Sequence, residues 1–141
     1  VGGRPVIVDD NPASATWKRV VRFYALLEVG RRGLRGSLPL QEPAWLRLTF
    51  VLARPLGQLA GRKPGAVARS GSPDRPAVRP DLLKLARAVE DALTGVLYAD
   101  DAQVVIERLE KSYGPQPGVL VELGPVPISG RSKTLPILDS A

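Results

Sequence analysis

The stretch 79-RPDLLKLARAVEDALTGVLYADDAQVV-105 decides how this chain is read. Pro80 stands before apolar residues at Leu82, Leu85, Ala86, Val89 and Leu93, the spacing of one helix face. Asp81 can cap that helix and Gly95 can stop it, so the pattern predicts a helix over 81–93. Val96-Leu97-Tyr98-Ala99 and then Asp100-Asp101 follow, leading into a strand predicted from about Gln103 to Leu109.

The lengths allow the two acidic positions to meet. A helix from Asp81 to Leu93 is about 18 Å long. The segment from Thr94 to Asp100, fully extended, reaches roughly 23 Å. A chain that turns at Gly95 and runs back along the helix would set Asp100 and Asp101 beside Asp81. Three carboxylates held together raise one another's pKa unless a cation neutralises them. An oxygen-only ligand set suits a hard ion, Mg²⁺ or Mn²⁺, which can polarise a phosphate and supply a hydroxide nucleophile. Arg87, about 9 Å along the helix from Asp81, could steady a phosphate or its developing charge. Taken singly, Asp81 also reads as a cap, Asp100-Asp101 as a solvated turn and Arg87 as a surface residue. Their conjunction in this order is what points to a site.

Composition narrows the chemistry. The 141 residues suit one domain, and a 44% hydrophobic content furnishes a modest core. The chain has neither histidine nor cysteine, which excludes His-based hydrolytic triads, His- or Cys-ligated zinc and disulfides. Twenty basic against 14 acidic residues leave a net charge of +6, favouring a polyanionic partner, nucleic acid first. No secretory leader is recognised. There is no apolar run of about 18 residues, and no small-molecule cofactor or membrane partner is expected.

Elsewhere, Val6-Ile7-Val8 reads as a short strand. A helix is expected to open at Pro12 to Ser14 and end near Gly30, with Trp17, Val20, Val21, Tyr24 and Leu27 as its apolar stripe. Alternation predicts a strand from about Ala44 to Ala53, and another from Val119 to Leu123. The stretch from Arg54 to Pro80 is rich in Pro, Gly, Ser and Arg and reads as a long, mobile, basic loop. It is either a tolerated insertion or a flap whose Arg62, Lys63 and Arg69 meet nucleic-acid phosphates. A domain over 1–124, with the loop at about 55–79, would be followed by an irregular tail over 125–141.

The quoted stretch resembles the core motif of the RusA family of Holliday-junction resolvases. The family pattern is Pro-Asp-x-Asp-Asn/Lys-Leu-x-Lys/Arg, then Asp-Ala-Leu, then Asp-Asp-x-Gln-Val. The resemblance is strong over residues 79–111 and looser from Trp17 to Pro55. It implies an α/β (α+β) fold, a small mixed sheet flanked by helices, acting as a homodimer. It further implies Mg²⁺-dependent paired cleavage of four-way DNA junctions, in a cytoplasmic bacterial setting that is often phage or prophage encoded. Asp81 and Asp101 match metal-binding aspartates, with Asp100 beside them. Arg87 takes the place of the catalytic basic residue. Lys111 matches a lysine on the following strand and joins Lys84 as an expected DNA contact.

Two departures stand out. The family's second aspartate falls where this chain has Leu83, so one expected ligand is missing. Glu90 shares that helix face but lies about 10 Å further along the axis. Family members also begin with a strand that this sequence lacks, and the chain starts at Val1, which leads to the expectation of a truncated or misassigned start. The rival classes are a junction-binding protein that no longer cuts, and a small basic structural or adaptor domain.

Overall fold

The alternation at 44–52 sets the architecture. In a computed structural model, which describes residues 15–127, Ala44–Leu52 forms the central strand β1. Ala44, Leu46, Leu48 and Phe50 are buried to 1% exposure or less, while Trp45, Arg47 and Thr49 stand on the opposite, half-covered face. Successive strand residues point to opposite sides, so one apolar face is enough to define the core side of the sheet. The other described elements are α1 (Ala15–Arg31), α2 (Leu82–Leu93), β2 (Val104–Tyr113) and β3 (Gly118–Pro125).

The sheet order is β2-β1-β3. β1 pairs in parallel with β2, Leu48 opposite Leu109, and antiparallel with β3, Leu48 opposite Val121. The parallel pair requires a crossover, and α2 lies within it. The result is a single α+β domain with a small mixed sheet and two helices. The expected strand at Val6 to Val8, the expected helix opening at Pro12 to Ser14 and the tail from residue 128 lie outside the described residues.

α2 buries the face its spacing predicts. Leu85 and Val89 are fully buried, Leu93 and Ala86 nearly so, and Leu82 packs at the margin of the core. Tyr98 is also fully buried, and its hydroxyl donates to the Glu90 carbonyl at 3.0 Å, which satisfies its polar end. Leu83 falls on the opposite side of α2 and is 74% exposed.

α1 departs from expectation. Trp17 and Val21 of the predicted stripe are buried, together with Val29. Val20, Tyr24 and Leu27 are exposed at 36%, 39% and 48%, as are Phe23 and Leu26. The reason lies in the sequence itself: apolar residues run almost all round this helix, so several faces satisfy helical spacing and α2 covers only one.

The segment after α2 is the second correction. Gly95 has φ +80°, a left-handed conformation that costs glycine little. The chain then doubles back on itself rather than extending. Gly95 N donates to Tyr98 O at 2.7 Å and Leu97 N to Leu93 O at 3.0 Å. Leu40 is stitched in from both sides, through Leu40 N to Leu97 O and Ala99 N to Leu40 O. The extended return of roughly 23 Å along α2 does not occur.

The Arg54–Pro80 stretch lacks periodicity but not structure. Leu59 bridges Ala68, Arg69 N donates to Gln58 O, and Arg54 reaches Pro73 O at 2.7 Å. Arg75 and Lys111 tie its far end to β2. On the outer sheet face, Glu110 accepts from Arg47 at 2.9 Å and from Thr49 at 3.3 Å, and the Arg47 hydrogen bond holds its carboxyl below the usual range.

Leu85→Ala is expected to lower stability by about 3 kcal/mol through the cavity it leaves. Leu83→Ala, two residues away on the exposed side, is expected to change it by less than about 0.5 kcal/mol. Urea denaturation of the two variants checks the assignment of the helix face; equal losses would overturn it.

Candidate functional site

Asp81 sits at the N-cap of α2 with extended backbone (φ −68°, ψ 139°), yet its side chain makes no capping hydrogen bond. The expected side-chain cap is corrected: Asp81 instead lies 3.5 Å from Lys84 Nζ, and both side chains are mostly exposed. Lys84 follows Asp81 by three residues, so helix geometry brings the two together. Lys111, from β2, donates to Val78 O at 2.7 Å and to Pro80 O at 3.1 Å. An ammonium has three donors, so one is left after these two bonds. Two lysines therefore flank the start of α2.

Asp100 and Asp101 arrive by a different device. Asp100 caps a 3-10 turn over Asp101–Gln103, its carboxylate accepting from Ala102 N at 2.9 Å. Gln103 closes the box by accepting from Asp100 N at 2.8 Å. The same Gln103 amide donates to Leu40 O and Glu42 O, both at 3.0 Å. This glutamine pins the two aspartates to the segment that leads into β1. Its position in the motif was visible in the sequence, but its bonds were not, because both acceptors are backbone atoms about sixty residues away.

Asp101 does not stand alone. Its charge, with those of Glu107 and Asp91, acts on Glu90 in the last third of α2, and Arg87 opposes them. Burial and these carboxylates push Glu90 up to about 7. Burial, followed by Glu90, Asp101 and Glu107, also raises Tyr98. Glu107 was not singled out from the sequence; it sits on an exposed part of β2 among other charged residues, with no motif to mark it.

The candidate residues thus divide. Lys84 and Lys111 gather at Asp81. Arg87 and Asp101 act on Glu90. Arg69 commits its Nε to Leu59 O at 2.7 Å, within its own loop, and Arg62 and Lys63 lie exposed at the tip of that loop. Among the described residues, no three Asp or Glu side chains form a group able to hold a metal ion. With Asp100 engaged in its capping box and Asp81 facing Lys84, the donor set does not fit Mg²⁺ or Mn²⁺ in this arrangement. What these groups can do is exchange a proton near neutrality at Glu90 and present cations to phosphate at the start of α2.

Because Glu90 is raised in the fold, the folded state holds its proton more tightly than the unfolded chain between about pH 4.5 and 7. Its contribution to stability therefore falls as pH rises through that window. Glu90→Gln is expected to be nearly neutral at pH 5 and to stabilise by about 1 kcal/mol at pH 8, after discounting for solvent screening. Thermal melts at the two pH values check this; an equal effect at both would remove the coupling.

No match was found among curated proteins. The family described as Endodeoxyribonuclease RusA matches residues 6–124. That span takes in α1, β1, α2 and β2 and nearly all of β3, together with every candidate residue named above. The chain belongs to the RusA endodeoxyribonuclease family.

Proposed function

We propose that this chain recognises four-way DNA junctions and cuts them as a RusA-type endodeoxyribonuclease, with cleavage limited by the missing carboxylate at Leu83. The observation that carries the proposal is the exposure of Leu83, 74%, two residues after Asp81 on a helix that does not need it for packing. An apolar side chain left in water where the family carries an acid is a change in the site, with no compensating role in the core.

In this proposal Asp81, Asp100 and Asp101 are the acidic residues of the site, and Asp81 and Asp101 are the two whose loss abolishes cutting. Arg87 faces the phosphate under attack. Lys84 and Lys111 hold neighbouring phosphates, with Lys111 oriented by its two carbonyl partners. Divalent-metal dependence is a general property of the family. An acid restored at 83 would add to Asp81 the donor that the present set lacks. Paired cuts in a near-symmetric junction call for two copies of the site, hence a homodimer. A second reading, a junction-binding protein that does not cut, is favoured by the absence of a three-carboxylate group among the described residues.

The test is incubation with a synthetic four-way junction, and with a matched duplex, in Mg²⁺. Leu83→Asp is expected to raise junction nicking at least tenfold without loss of stability. Asp101→Asn is expected to abolish it while leaving junction affinity within about twofold. Salt-sensitive junction binding with no nicking by either the natural chain or Leu83→Asp would establish the binding protein instead. Equal affinity for junction and duplex would sink both, and a monomer by sedimentation would remove paired cutting.

A further inference from the structure

A cleft of about 690 Å³ opens between the 58–69 loop and the turn joining β2 to β3. Its volume lies in the range of natural ligand clefts. Arg54, Arg62 and Lys63 line it, with Leu59, Val67 and Tyr113 among the apolar and aromatic groups, and no Asp or Glu among the described residues does. Three cations over an apolar floor select an anionic ligand that also has a flat, weakly polar part.

The walls are built by local chemistry. Ala66 N donates to Lys63 O at 3.1 Å across Pro64-Gly65, and Gly65 has φ +81°. Proline followed by a left-handed glycine is the signature of a type II turn. Leu59 bridges Ala68 and Ala60 N donates to Val67 O, so the turn is the tip of a small hairpin. That tip displays Arg62 and Lys63, and neither has an ion pair or side-chain hydrogen bond among the described residues. Facing it, the Arg54 guanidinium lies 4.2 Å from the centre of the Tyr113 ring, and its Nη1 donates to Gln58 Oε1 and Pro73 O. One wall is thus fixed before any ligand arrives, and the other holds two cations that have no ion pair among the described residues.

The position is as informative as the lining. Tyr113 is the last residue of β2 and lies two residues beyond Lys111, so both project from the same sheet face, about 7 Å apart. Lys111 in turn touches the backbone beside Asp81. A strand of DNA that passes the start of α2 would meet the cleft next.

We propose that this cleft holds a single DNA strand, with a phosphate between Arg62 and Lys63 and an unstacked base against the Tyr113–Arg54 wall. The placement rests on the junction reading above for its direction, since single strands pass from one arm to the next at the crossover of a four-way junction. Aromatic walls with cationic rims are how proteins hold single strands without reading sequence. A duplex keeps its bases paired and stacked, so it has none to set against the aromatic wall without the cost of extruding one.

Fluorescence anisotropy with the full chain tests it, using a labelled ten-residue oligothymidylate, the four-way junction and a matched duplex across a salt series. Arg62→Ser with Lys63→Ser is expected to weaken oligothymidylate binding at least tenfold and flatten its log–log salt slope by about 1.4, two phosphate contacts' worth for a single strand. Tyr113→Leu is expected to weaken it about fivefold with the salt slope unchanged, as loss of stacking requires. Arg19→Ser with Arg31→Ser on α1 removes the same charge elsewhere and should have little effect. An equal loss in that control pair, or no oligothymidylate binding by the natural chain, overturns the cleft. So does unchanged binding in the Arg62/Lys63 variant. A natural chain that binds oligothymidylate through the cleft but prefers no junction over duplex would retain the cleft and lose the junction reading.

Discussion

β1 bonds to both of the other strands in the sheet, and everything else in the domain is arranged around that fact. Its register with β2 fixes where α2 must cross, and its register with β3 closes the other edge. Leu46, Leu48 and Phe50 give both helices a surface to cover. The candidate site inherits its geometry from the same strand. Gln103 reaches the carbonyls just before β1, and Leu40, in that same lead-in, holds the turn that follows α2. Asp100 and Asp101 are therefore placed by backbone contacts to the entrance of β1, and only indirectly by α2.

This explains which parts of the fold could be read in advance. β1 and α2 each have one apolar face and one partner surface, so period 2 and period 3.6 identify them almost to the residue. α1 has apolar residues on most of its circumference, and spacing alone could not say which of them meet α2. The turn from Thr94 to Ala99 departs from the extended path for a different reason. Extension sets only an upper limit on reach, and here Tyr98 is drawn into the core with its hydroxyl on Glu90 O, which shortens the path. The Pro64-Gly65 turn was legible in principle, since that pair specifies a turn type, but its flanking residues lack the alternation of longer strands.

The site shows the same division. Asp81, Lys84 and Lys111 could be selected by motif, and they do gather at the start of α2. Glu107 could not, because its place beside Asp101 and Glu90 depends on the strand–helix packing. Asp101, Glu107 and Asp91 gather around Glu90 in the last third of α2, while Lys84 and Lys111 stand with Asp81 at its start, with Arg87 between. Such a separation gives the surface a direction: phosphate is attracted at one end and repelled at the other unless a cation or a proton intervenes. Leu83 lies on the outer side of this arrangement, neither buried nor charged.

The pairing of β1 has a consequence for how the chain is made. Among the described strands its two partners begin at residues 104 and 118, so β1 cannot pair with either until about fifty further residues have followed it out of the ribosome. Until then Trp45–Leu52, an apolar segment with no neighbour, must be kept from pairing with other molecules. Arg47 is its one charged residue, and in the finished domain that charge is taken up by Glu110 and Glu122, one from each late strand. The residue that guards the nascent strand is thus released from that duty by the two elements that make guarding unnecessary.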